Sequence, residues 1–133
     1  MPFGETTTPE IERIAAAIVD SALKVHRALG PGLLESAYEA CLAHELRKRG
    51  FSVTRQVFLP IIYDDVELDE AYRIDLVVND LVIVEIKAVQ QMKKLFARQT
   101  RTYLRLSGRK LGLLINFNVN LIKNGIKRII HTT

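Results

Sequence analysis

The chain has 133 residues, 48% of them hydrophobic, with a formal net charge of +4. That is enough sequence to bury one compact core, so residues 1–133 are read as a single domain. No run approaches the roughly 20 apolar residues of a membrane helix, MPFGETTTPE lacks the basic and apolar regions of a secretion signal, and the lone Cys41 excludes an internal disulfide. The expectation is a cytoplasmic protein with no membrane partner. The net charge hides an asymmetry. Residues 1–85 hold 8 Lys/Arg against all 15 Asp/Glu, whereas residues 86–133 hold 11 Lys/Arg and no acid. A basic half of this kind suits a polyanion, although two halves that neutralise each other on folding explain it equally well.

In chain order, Thr8-Pro9-Glu10 opens a first helix, with threonine as cap, proline in the first turn and acids at the positive end of the dipole. Its apolar seam runs through Ile11, Ile14, Ile18, Ala22, Val25 and Leu29, and Gly30-Pro31 stops it. A second helix is expected from about Leu33 to Arg49. Gly32, Glu35 and Tyr38 follow in three-residue steps at its start. Glu35 is there either a third carboxylate for a metal or a first-turn acid matched to the dipole, and Tyr38 is either a ligand contact or core.

Alternating apolar runs then predict strands near 52–62, 66–78, 81–88, 111–117 and 126–131. Asp64-Asp65 and Asn79-Asp80 read as hairpin turns. Between the third and fourth strands, Gln90 to Leu106 reads as a helix closed by Gly108. The order is α-α-β-β-β-α-β with a last short strand, an α/β arrangement in which a mixed sheet is flanked by helices.

The central strands carry the chemistry. Asp75 sits in RIDLVV, and Glu85-Ile86-Lys87 interrupts an apolar run. Residues two apart on a strand share a face, so Glu85 and Lys87 project together. Charges at such positions are costly unless each finds a partner or a metal. Two carboxylates to hold a magnesium ion and a lysine to stabilise developing charge are the needs of a metal-dependent phosphodiesterase. A two-residue turn at Asn79-Asp80 would set Asp75 opposite Val84 and send the two acids to opposite faces. The phosphodiesterase reading therefore requires a three-residue loop or a bulge there.

Gln99 falls within the expected apolar stripe of the third helix, Met92, Leu95, Phe96, Tyr103 and Leu106. A buried amide needs partners, either backbone or a pocket shared with Asp75 and Lys87. Lys94, Arg98, Arg101 and Arg105 form a stripe on the other side, read as a solvated face. His26, His44 and His131 show no zinc spacing. There is no phosphate-cradling glycine loop and no Gly-x-Ser-x-Gly elbow. The acidic run Asp64, Asp65, Glu67, Asp69 and Glu70 reads as a solvated hairpin tip. A glycosidase pair of Glu35 with Glu85 is a competing reading that leaves Lys87 and the basic half without a role.

These residues resemble the GxxExxY family of the PD-(D/E)xK nuclease-like superfamily. The matching blocks are GLLESAY at Gly32–Tyr38, RID at Arg73–Asp75, VEIKAV at Val84–Val89, QTRTYL at Gln99–Leu104 and GLLINF at Gly112–Phe117. With the lead-in from Val25 to Gly32, they cover nearly the whole chain in order. The resemblance implies a restriction-endonuclease-like αβββαβ core, here with an extra N-terminal helix, and a site where the central strands diverge. It makes Asp75 and Glu85 the metal-binding acids, Lys87 the catalytic lysine, Glu35 a further acid on the helix and Gln99 a catalytic glutamine. The proline that names the superfamily is absent, Ile74 preceding Asp75. The expected cofactor is Mg²⁺ or Mn²⁺, and the expected partner nucleic acid, DNA in preference to RNA, with Arg73, Lys93, Tyr38 and Tyr103 as candidate contacts. A homodimer would deepen the groove of so small a domain. Two other classes stand beside this one, a non-catalytic nucleic-acid-binding module and an interaction protein in which the charged cluster is an internal ion-pair network.

Overall fold

The computed structural model describes residues 7–132. Residues 1–6, which carry much of the stretch compared with a secretion signal, lie outside them. Helix α1 spans Pro9–Leu29. The Ile11 amide donates to Thr8 Oγ1 at 3.1 Å, and the helix stops at Gly30, whose φ of +68° suits glycine. Its seam is buried from Ile11 to Val25, while Leu29 at its end is exposed. Helix α2 spans Glu35–Lys48 and begins later than expected. Gly32, with φ +98°, lies in the turn before it, so only Glu35 and Tyr38 share the helix.

Five strands follow: β1 Val53–Tyr63, β2 Val66–Val78, β3 Val82–Lys87, β4 Leu111–Asn116 and β5 Ile126–Ile130. They form one sheet in the order β1-β2-β3-β4-β5. Every neighbouring pair is antiparallel except β3 and β4, which run parallel. A parallel neighbour requires a crossover, and helix α3, Lys94–Ser107, supplies it. This is the restriction-endonuclease-like αβββαβ core, with α1 as the added N-terminal helix. Among the described residues, no helix is long and apolar enough to cross a membrane.

Helices α1 and α2 cover one face of the sheet, burying Ile14, Ile18, Leu42 and Leu46 against Leu76, Val84, Leu111 and Phe117. Helix α3 covers the other face, over Val77, Ile83, Leu114 and Ile129. The buried side of α3 differs from the expected stripe. Met92, Leu95 and Leu106 are exposed, and Ala97, Thr100, Tyr103 and Leu104 face the sheet. Small residues allow the close approach: a Cβ at Gly112 would lie 2.9 Å from the Thr100 methyl carbon. The Thr100 hydroxyl donates to the Phe96 carbonyl at 2.9 Å and so enters the interface satisfied.

Gly125, in the 3₁₀ turn Ile122–Gly125, packs against the end of β4. A Cβ there would come within 2.2 Å of the Asn116 carbonyl oxygen, a backbone atom that cannot swing aside. Gly125→Ala is expected to cost about 1–3 kcal/mol. Thermal melting should register this as a midpoint several degrees lower; an unchanged midpoint would contradict the packing described.

Candidate active site

The turn between β2 and β3 fixes the site. Asn79 and Asp80 both have positive φ, +49° and +58°, as a tight hairpin requires. Pairing begins at Val78 with Val82, so three residues, Asn79, Asp80 and Leu81, lie between the paired positions. Continuing that register sets Asp75 opposite Glu85, and the two acids share a face.

At this level the regular ladder gives way. The Asp75 amide donates to Glu85 Oε2 at 2.8 Å, and the Ile86 amide donates to Asp75 Oδ2 at 2.8 Å. Each carboxylate thus takes an amide of the opposite strand. The break has a second sign on β2. Leu76 and Val78 pack on the α1–α2 side, but Ile74 belongs to the α3 side, so the two-residue alternation reverses across Asp75. On β1 the position facing Asp75 is Gln56, with φ +56°. The strands part here, and the parting opens a cleft of about 410 Å³.

Glu35, Arg73, Asp75, Glu85, Lys87 and Gln99 all line this cleft, with Tyr103 in its wall. Glu35 reaches it from the first turn of α2, where its Oε2 accepts from the Ala88 amide at 3.4 Å. Gln99 reaches it from α3, half-buried at the edge of the packed side of the helix rather than within it. Lys87 Nζ stands 4.4 Å from the centre of the Phe96 ring, which steadies the ammonium while leaving its donors available. Tyr103 tilts against Tyr72 with ring centres 5.6 Å apart. Burial, with the nearby charges of Glu85 and Asp75, raises its phenol to about 12, so it stays a donor.

Two expected nucleic-acid contacts fall elsewhere. Tyr38 has no exposed surface; it stacks on Phe117 at 4.5 Å, donates to the Gly30 carbonyl at 2.6 Å and accepts from the Leu33 amide. Its role as a ligand contact is corrected to that of a core residue fastening the α1–α2 turn. Lys93 is exposed, occupies the N-cap position of α3 without a side-chain capping bond and lies outside the cleft lining.

Asn116 carries a role the sequence reading missed. It is buried at the end of β4, accepts from the Val89 amide at 3.1 Å and donates to the Val89 carbonyl at 2.9 Å. This clamp holds the segment that leaves Lys87. The available signal was an amide inside the apolar run LGLLINF, since a buried amide must find partners. Glu39 is a second such group, buried and bonded to Arg55 and Gln56 beside the strand break.

The electrostatics of the acid pair are distinctive. Burial pushes Glu85 up to about 8, with the Asp75 charge adding to the rise. Burial also raises Asp75, to about 6; the Ile86 amide and Lys87 oppose the shift, and Glu39 adds to it. Among the described residues neither acid has a cationic partner within 4 Å, unlike Glu39 and Glu45, which pair with Arg55 and Arg49. A buried Glu85 and a half-buried Asp75, both without an ion-pair partner and facing a cleft, are poised for a positive ligand. All the donors are oxygens, the set that hard divalent cations prefer. Among the described residues no three acidic, histidine or cysteine side chains close into a ready-made cage. Magnesium does not need one, because it keeps several waters and takes one or two protein carboxylates.

A mixed-sheet core carrying two acids and a lysine where its central strands part defines a nuclease-type scaffold. The chain belongs to the PD-(D/E)XK nuclease superfamily, whose family model matches residues 12–129. Among solved structures, an alkaline exonuclease (LHK-Exo) from Laribacter hongkongensis is similar at 16% identity and a TM-score of 0.46, over 91% of this chain and 82% of its own. No curated protein matches the chain.

Proposed function

We propose that the protein is a divalent-metal-dependent nuclease that hydrolyses phosphodiester bonds of nucleic acid, DNA in preference to RNA. The observation that carries the reading is the Asp75–Glu85 exchange of carboxylate–amide bonds at the strand break, in one cleft with Lys87. Membership of a nuclease superfamily supports this chemistry. Within the superfamily, the GLLESAY run supports assignment to the GxxExxY family.

Asp75 and Glu85 would hold Mg²⁺ or Mn²⁺, with Glu35 at the rim as a further oxygen donor. A bound divalent cation supplies Lewis-acid polarisation of a phosphoryl oxygen and lowers the pKa of water. The protein's own groups do the rest. Lys87, a compact cation with three donors, stabilises the negative charge that builds on the phosphate in the transition state. The Gln99 amide orients the attacking water along the line of displacement. Arg73 at the mouth neutralises substrate phosphate, and Tyr103 donates from the wall.

The test is cleavage of labelled single-stranded and duplex DNA and RNA with Mg²⁺ or Mn²⁺, alongside Asp75→Ala protein purified identically. Cutting that needs the metal and disappears in the variant is the expected result. Equal inertness of both proteins across all substrates would replace this reading with a binding module on the same fold.

A further inference from the structure

Helix α3 lines two separate concavities. Gln99 and Tyr103 turn one flank toward the cleft, and Arg98, Arg101 and Arg105 line a separate groove of about 420 Å³ on the other, closed by Thr102 and His131. At 100° per residue the two sets are separated by roughly a third to a half turn around the helix axis. The three arginines are exposed, and among the described residues none lies within 4 Å of a carboxylate. Arg13, Arg27, Arg47 and Arg73 are also without an ion pair among the described residues, but only Arg98, Arg101 and Arg105 gather along one helix flank on one groove. A solvated face needs no groove, and a chain with 15 acids had partners to offer.

We propose that this outer flank of α3 is a phosphate track that holds nucleic-acid backbone outside the cleft, with Arg98, Arg101 and Arg105 as its contacts. The seven residue steps from Arg98 to Arg105 cover about 10.5 Å of helix. Three cations on one helix flank, each on a long flexible side chain, suit a short run of neighbouring phosphates. Arginine's planar fork binds phosphate oxygens in pairs, and its charge does not titrate. Contacts of this kind position the substrate without reading its sequence. The inference rests on the nuclease reading for the identity of the polyanion, but its measurement does not require cleavage.

Binding of a duplex oligonucleotide is measured in EDTA against salt concentration, for wild type and for the triple variant R98Q/R101Q/R105Q. Each lost phosphate contact lowers the slope of log K against log salt by about 0.9, so a slope shallower by roughly 2–3 is expected for several unrelated sequences. Metal-dependent hydrolysis of a small phosphodiester, which occupies only the cleft, should stay unchanged. Circular dichroism and the single variants guard against a folding defect; each single change should remove about one third of the effect. An unchanged slope overturns the proposal, as does a variant whose only change is in association between copies of the chain, because the arginines would then serve a protein partner. A reduced slope in a protein that cuts nothing would keep the track and discard the nuclease reading.

Discussion

Lys87→Ala should reduce metal-dependent cleavage by roughly 10²–10³-fold, the loss seen when one preorganised donor to a developing charge is removed. The fold should survive. Lys87 is only half-buried and has no ion-pair partner among the described residues; its ammonium stands over the Phe96 ring. Losing that contact costs about 0.5–1 kcal/mol, a small shift in the melting midpoint. Metal affinity should hold or improve, because a positive charge leaves the neighbourhood of two acids. Lys87→Arg should fail to restore full activity, since a planar fork does not replace a compact ammonium at the same point. Undiminished cutting by Lys87→Ala would remove the lysine from the mechanism.

The second large effect concerns pH. In the unfolded chain Glu85 has an ordinary carboxyl pKa, and in the fold burial raises it to about 8. Between those values the folded protein binds more protons than the unfolded one, so stability falls as pH rises. The contribution is fully present below the ordinary carboxylate range and is lost by about pH 8 in the absence of metal. Glu85→Gln keeps an oxygen for the Asp75 amide and removes the charge. The variant should melt with a flatter pH dependence and, at pH 8 in EDTA, should have a higher melting midpoint than wild type. Mg²⁺ should stabilise wild type increasingly as pH rises and leave the variant little affected. A variant less stable than wild type at pH 8 without metal would show that the glutamate is compensated within the protein.

The element order was legible because each boundary has a local cause. Thr8 caps, Gly30 stops, and Asp64-Asp65 turns the first hairpin with both residues at positive φ, as two acids flanked by alternating apolar residues suggest. The need for an irregular turn before β3 was also legible, because period-two geometry leaves no other way to set Asp75 beside Glu85. Where pattern reading failed, packing partners decided. The inner side of α3 is set by Thr100 against Gly112, a contact between small residues that a stripe of large apolar ones does not announce. Tyr38 shares its motif with Glu35, yet three residues of helix carry it from the rim of the cleft into full burial on Phe117. The Asn116 clamp and the left-handed Gln56 depend on which strands become neighbours, and that information is not local.

The central claim is that the half-buried Asp75 and the buried Glu85, each tied to the opposite strand through one oxygen, form a cation site. Mn²⁺ titration followed by electron paramagnetic resonance tests it most directly, with wild type, Asp75→Asn and Glu85→Gln compared at pH 8. Bound Mn²⁺ in wild type, displaced by excess Mg²⁺ and lost in either variant, is the predicted result. Binding that is absent in wild type, or that persists equally in both variants, would contradict the assignment of Asp75 and Glu85 as metal ligands.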